Sequence, residues 1–190
     1  MRKLIAAMKV SLDEKVELPD GPADWVEGWS DDYGLTPQID ACVLGAGMYP
    51  GYEQYWTRVR TDPGQPSPMT GKIPTPGEIE WARVAAQMPH YVLSRTLTIA
   101  SWPNTRFLRT VDDLAALKRQ EGKDIYLVGG ARTTSSLIDA GVVDELRLIV
   151  YPLIAGRGTP LFADERRRPL DLRNAQPHAD GRISLTYRID

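Results

Sequence analysis

A chain of 190 residues is long enough for one domain with a real core, spanning 1–190. With 42% hydrophobic and 25% charged residues it has an ordinary globular composition, and a net charge of −2 carries no general nucleic-acid footprint. The single cysteine, Cys42, excludes an intrachain disulfide and points to a reducing, cytoplasmic compartment; no apolar stretch approaches the roughly 20 residues of a membrane span.

The first apolar run, Leu4 to Met8, predicts a strand at the N-terminus. Three similar runs follow, Ala41 to Leu44, Tyr91 to Leu93 and Ile125 to Val128. None alternates cleanly, which suits central strands of a parallel sheet covered by helices on both faces. Between them the periodicity predicts helices around Gly51 to Arg58, over "GEIEWARVAAQM" up to Pro89, over "TVDDLAALKRQ" with Thr110 as N-cap and Gly122 as stop, and over "TSSLIDAG" up to Gly141. Residues 60–78 are dense in Pro, Gly, Ser and Thr and predict an exposed loop inserted in this alternation. "DELRLIVYP" alternates as a strand with one wetter face. "LDLRNAQPHADG" and "ISLTYRID" predict a closing antiparallel hairpin turning at Asp180-Gly181. The fold class expected is therefore α/β, with a mostly parallel sheet flanked by helices.

Three strands of this scheme end in polar or glycine-rich exits. "VLGAGMY" leaves its strand through Gly45 and Gly47, "YVLSRTL" through Ser94, Arg95 and Thr96, and "YLVGGARTT" through Gly129 and Gly130. Glycines let a ligand approach bare backbone, and the helix beginning near Arg132 adds unpaired N–H donors. Each exit alone also fits a plain turn, and Arg95 alone also fits a surface ion pair. In open α/β sheets ligands bind along the carboxyl ends of the strands, and one long ligand with several phosphates, such as a dinucleotide, spans all three exits. No GxGxxG or Walker pattern is present.

"KLIAAMKVSLDEKV", "ACVLGAGMY", "YVLSRTL", "IYLVGGARTTSSLI" and "VDELRLIVYPLIAGRGTPLF" occur in the order seen in dihydrofolate-reductase-like proteins. The chain resembles most closely the branch related to the reductase domain of the bifunctional riboflavin-pathway deaminase/reductase. That resemblance implies a dihydrofolate-reductase-like fold, bound NADPH, and hydride transfer to a small heterocycle, carbonyl or imine. It implies that the backbone of Ala6 and Ala7 meets the nicotinamide amide. It implies that Gly45, Ala46, Gly47 and Met48 run along the cofactor phosphates. It also implies that Ser94, Arg95 and Thr96 hold the adenosine 2'-phosphate, and that Gly129, Gly130, Ala131, Arg132, Thr133 and Thr134 form the pyrophosphate turn. Two departures stand out. Many relatives carry Gly-Arg-x-Thr where this chain has Gly45 to Met48, and relatives usually have glycine where this chain has Glu14.

On the substrate side, "GPADWVEGWSDDYG" offers Asp24, Glu27, Asp31 and Asp32. Asp32, on a helix expected from about Asp31 to Asp40, is the candidate proton donor, with Asp31 and Trp25 beside the substrate. The same acids also suit a solvated loop. His90 and His178 lack metal-ligand spacing, and no metal is expected. Only the reductase half is implied, because the zinc motif of the deaminase is absent. The readings carried forward are a reductase of the riboflavin type, a true dihydrofolate reductase, and a non-catalytic NADPH-binding protein. The partners expected are a small-molecule substrate and a second copy of the chain.

Overall fold

The computed structural model describes residues 1–26, 33–67, 71–162 and 167–189. The four apolar runs form the strands β1 (Leu4–Ser11), β4 (Ile39–Gly45), β5 (His90–Leu93) and β7 (Asp124–Gly129). β2 (Lys15–Leu18) and β3 (Gly21–Pro22) form a small hairpin beyond the exit of β1. Two more strands, β6 (Thr105–Leu108) and β8 (Glu145–Tyr151), join the main sheet. β9 (Thr159–Pro160) pairs with β2, and β10 (Asp171–Pro177) and β11 (Ile183–Arg188) make the C-terminal hairpin.

The main sheet has eight strands in the order β10-β11-β8-β1-β7-β4-β5-β6. From β8 to β6 every neighbour is parallel, while β11 runs antiparallel to both β8 and β10. β7 thus inserts between β1 and β4, which brings its exit between theirs. The hairpin turns at Gly181 (φ +86), whose N–H bonds to the His178 carbonyl at 3.0 Å.

Helices cover both faces, as strands apolar on two sides require. α1 (Tyr49–Thr61) and α2 (Pro76–Gln87) pack Tyr52, Trp56, Trp81 and Ala85 against Ile5, Cys42, Leu44 and Val92. On the other face α3 (Val111–Lys118) and α4 (Ala131–Asp139) pack Leu114, Leu117, Leu137 and Ile138 against Leu4, Val43, Ile125 and Leu127. Each such wholly buried Leu or Ile contributes about 1.5–3 kcal/mol of transfer free energy. The proline-rich segment is the connection from α1 to α2, shorter than expected because Thr61 still belongs to α1 and Pro76 already opens α2. Its described part folds on itself through Ser67 N–H to Lys72 O and Gly71 N–H to Ser67 O, both 2.8 Å.

The helix expected over about 31–40 does not run through the described residues 34–40. Over the described part of 31–40, Gly34 takes φ +60, Thr36 to Gln38 form a turn, and Ile39 already starts β4. A left-handed glycine followed by Pro37, which donates no N–H, stops helical hydrogen bonding there. Asp31 and Asp32 lie outside the described residues. Among the described residues no helix is long and apolar enough to cross a membrane.

Candidate active site

The carboxyl ends of β4, β5 and β7 lie side by side, so the three polar exits form one edge. Gly45 and the first turn of α4 touch: a Cβ on Gly45 would collide with the Thr133 hydroxyl. Ala46 N–H bonds to the Leu93 carbonyl at 3.3 Å, which ties the β4 exit to the β5 exit. Gly130 is the N-cap of α4 at φ +88, and Gly129 stands at φ +123. Backbone of that kind demands glycine whatever lies above it. The backbone conformation accounts for both glycines by itself, and it is the groups around them that make the turn a seat for a ligand.

Those groups fit a chain of phosphates. α1 and α4 begin with N-caps Met48 and Gly130, and neither has a side-chain cap hydrogen bond. By contrast α2 and α3 each close their N-termini with a capping box, from Thr75 and Glu78 and from Thr110 and Asp113. The first N–H groups of a helix have no partner inside it. Two bare N-termini thus open on the same edge, where their donors and partial positive charge favour anions. Thr134, wholly buried in the first turn of α4, has a hydroxyl without a hydrogen-bond partner among the described residues. Arg132 is exposed at the same helix start. The residues present therefore fit a pyrophosphate, even without the arginine and threonine of the Gly-Arg-x-Thr pattern.

Beyond the exit of β5 lies a cleft of about 250 Å³ lined by Leu93, Ser94, Arg95, Arg109, Thr110 and Val111. Ser94 is buried, and its Oγ accepts the N–H groups of Leu97 at 2.9 Å and Thr96 at 3.3 Å. Its hydroxyl proton remains to be donated. Arg95 and Thr96 are exposed, and among the described residues no carboxylate pairs with Arg95 or Arg109. Two unneutralised guanidinium groups in one cleft suit a phosphate monoester dianion. Arg109 is the residue that sequence reasoning missed. β6, which delivers it, is four residues long and half-exposed, so "TRFL" gives no apolar run to notice.

Ala7 lies on the central strand β1, 2% exposed, on the same face as Ile5. The exit of β1 is fixed rather than open. Asp13 accepts N–H from Ala155 at 2.9 Å and from Gly156 at 2.8 Å, and the Ser11 hydroxyl at 2.6 Å. The bonds from Ser11, Ala155 and Gly156 hold its carboxyl down at about 2. Glu14 follows at φ +64, a left-handed conformation where glycine would be at ease. Its cost is about 1 kcal/mol, and its N–H to the Ser11 carbonyl at 2.9 Å helps to hold the turn. Trp25 sits in the turn after β3, half-buried, its indole N–H buried without a partner among the described residues. Asp24 beside it is exposed. Among the described residues no group of three or more His, Cys, Asp or Glu side chains is placed to hold a metal ion.

A family model described as the RibD C-terminal domain matches residues 2–182. The uncharacterized protein YyaP of Bacillus subtilis (strain 168) is 31% identical over 194 residues, covering 98% of this chain and 94% of its own. Among solved structures, a putative riboflavin biosynthesis protein from Shewanella sp. PV-4 superposes with a TM-score of 0.70 at 19% identity over 99% of both chains. Dihydrofolate reductase from Enterococcus faecalis, complexed with NADP(H) and RAB-propyl, superposes with a TM-score of 0.64 at 13% identity, over 99% of this chain and 96% of that one. The fold is dihydrofolate-reductase-like, as the order of the sequence motifs implies.

Proposed function

The chain belongs to the RibD C-terminal domain family, a family of reductase-like oxidoreductases, and on that premise we propose that it is an NADPH-dependent reductase of a small heterocyclic, carbonyl or imine substrate. Within that class the substrate of choice is of the 5-amino-6-(5-phosphoribosylamino)uracil type. We further propose that the working form is a homodimer in the cytoplasm.

The observation that carries the cofactor reading is the pairing of two uncapped helix N-termini, α1 and α4, with a doubly cationic cleft along one sheet edge. The N–H groups at Gly130 to Thr133 take the pyrophosphate, with the loop Gly45 to Met48 and its Gly47 N–H alongside. Arg95, Thr96 and the Ser94 hydroxyl take the 2'-phosphate, and the backbone of Ala7 meets the nicotinamide amide. The bound cofactor supplies a hydride; the chain holds it in place and must supply a matching proton to the substrate. Asp32 is proposed for that proton, with Asp31 and Trp25 at the substrate. The absence of a helix over 34–40 weighs against a folate-type arrangement of that carboxylate.

The test is cofactor discrimination. Loss of one charge-assisted hydrogen bond, worth about 1.5–3 kcal/mol, should make Arg95→Ala bind NADPH roughly ten- to a hundredfold more weakly. NADH affinity should stay the same within about twofold. Equal losses for the two cofactors, measured by calorimetry, would remove Arg95 from the phosphate. Absorbance at the reduced nicotinamide band, with pterins, the ribosylamino-pyrimidine and simple carbonyls offered in turn, then separates a reductase from a protein that binds NADPH and oxidises nothing.

A further inference from the structure

Arg109 directly follows β6 and reaches across to the neighbouring exit. Its Nη1 donates to the carbonyl of Ser94 at 2.7 Å and to the carbonyl of Leu97 at 2.9 Å. Those two carbonyls bracket the turn that carries Arg95 and Thr96. Arg109 is itself held in place. Asp113 accepts its backbone N–H at 2.8 Å and that of Thr110 at 2.9 Å, and these bonds keep the Asp113 carboxyl below the usual carboxylate range. The guanidinium carbon of Arg109 stands 5.5 Å from the centre of the Phe107 ring. A run of fixed parts therefore leads from the N-terminus of α3 through Arg109 to the turn 94–97. Arg95, at the tip, has no hydrogen-bond or ion-pair partner among the described residues.

We infer that Arg109 is a positioning residue for cofactor choice: by tying both ends of the 94–97 turn it presents Arg95 to the 2'-phosphate. The inference rests on the cofactor reading proposed above. Both hydrogens of Nη1 are taken by carbonyls, so this nitrogen serves the turn. Without it the turn is held from inside by Ser94 alone, and a ligand must order Arg95 as it binds, which weakens binding. The α3 N-terminus cannot substitute, because its capping box already uses the Thr110 and Asp113 side chains.

The experiment compares NADPH and NADH affinities by calorimetry for the parent, Arg95→Ala, Arg109→Met and the double variant. Methionine keeps much of the apolar stem over Phe107 and removes every donor. Arg109→Met should cut the preference for NADPH by about fivefold or more, leaving NADH affinity within roughly twofold. In the double variant the two losses should fall well short of multiplying, because what Arg109 contributes through Arg95 is lost only once and only the effect of its charge in the cleft remains. In the protein without cofactor, amide exchange at Thr96 and Leu97 should speed up in Arg109→Met but not in Arg95→Ala.

Losses that multiply in the double variant, or an unchanged preference in Arg109→Met, overturn the inference. So does an equal loss for both cofactors, which marks general damage to the fold. If Arg95→Ala itself leaves the preference untouched, or the parent binds neither cofactor, the underlying reading falls, and the inference with it. Should Arg109→Met fail to fold, Arg109→Lys takes its place. One ammonium cannot reproduce the fork, so an undiminished preference and undisturbed amide exchange there also overturn the inference.

Discussion

At the scale of single residues, two buried polar atoms without partners make opposite kinds of prediction. The Thr134 hydroxyl sits in the α4 turn, wholly buried. An unsatisfied buried hydroxyl costs about 1–3 kcal/mol, and valine has the same shape without it. Thr134→Val should therefore melt no lower than the parent, yet bind NADPH several-fold more weakly if the cofactor supplies the missing partner. Unchanged affinity in a titration would leave this hydroxyl with no role at the phosphates. His90 is different in kind. Its Nδ1 lies 2.8 Å from the Met88 carbonyl, which can only accept, so Nε2 is a bare lone pair among Tyr52 and Trp102. Burial pushes its pKa down from 6.5 to about 4, against smaller opposing effects of the Met88 carbonyl and Glu53. The unfolded chain thus takes up this proton before the folded one does. Stability linked to His90 is complete above pH 6.5, falls as the pH drops from there to about 4, and changes no further below. The loss is on the order of 3 kcal/mol at about 1.4 kcal/mol per unit. In denaturant titrations at pH 7.5 and 4.5, His90→Asn should lose much less stability than the parent across that interval. Identical losses would show that His90 is not the group being titrated.

At the scale of elements, what the sequence made legible followed from burial. Strands β1, β4, β5 and β7 are buried on two faces and announce themselves as apolar runs. α3 announces itself by its N-cap Thr110 and α2 by its periodicity and the closing Pro89, whereas the Thr75–Glu78 capping box lies in residues that read as loop. β2, β3 and β9 span only two to four residues each and owe their existence to pairing with one another, so no local pattern betrays them. β6 is hidden for the same reason, and Arg109 with it. The helix expected after Asp31 fails at Gly34, where a left-handed backbone overrides the weak acidic signal upstream. In the candidate site, the three exits were readable because glycine and small polar residues follow apolar runs directly. That α1 and α4 lack caps was not readable, because a missing hydrogen bond leaves no residue to point at. Gly130 was readable as a glycine but not as one at φ +88, and that angle alone explains why alanine would strain it.

At the scale of the whole molecule, the two edges of the sheet are finished differently. Along the amino edge, Arg2 pairs with Asp40, and Lys118 pairs with Asp144 at 2.6 Å, while Asp144 also accepts the Leu4 N–H at 2.7 Å. Charges there are spent on holding strands together. Along the carboxyl edge Arg95, Arg109 and Arg132 stand without carboxylates among the described residues. The lateral edge is different again. β10 is exposed along most of its length, and Leu170, Leu172 and Ile183 are apolar and 38%, 52% and 42% exposed. An edge strand with apolar side chains pairs readily with another chain. The proposed homodimer should therefore show twice the chain mass by light scattering at micromolar concentration, and Leu172→Asp should shift it towards monomer. A parent that runs as a monomer removes the dimer, and an unshifted Leu172→Asp moves the interface elsewhere.

The two bare helix starts also have a practical reach beyond the native ligand. Backbone donors at Gly47 and at Gly130 to Thr133 do not distinguish a cofactor phosphate from any compact oxyanion of similar charge. A phosphate- or sulfate-rich buffer would therefore act as a rival ligand, and apparent cofactor affinities would drift with the choice of buffer salt even at constant ionic strength.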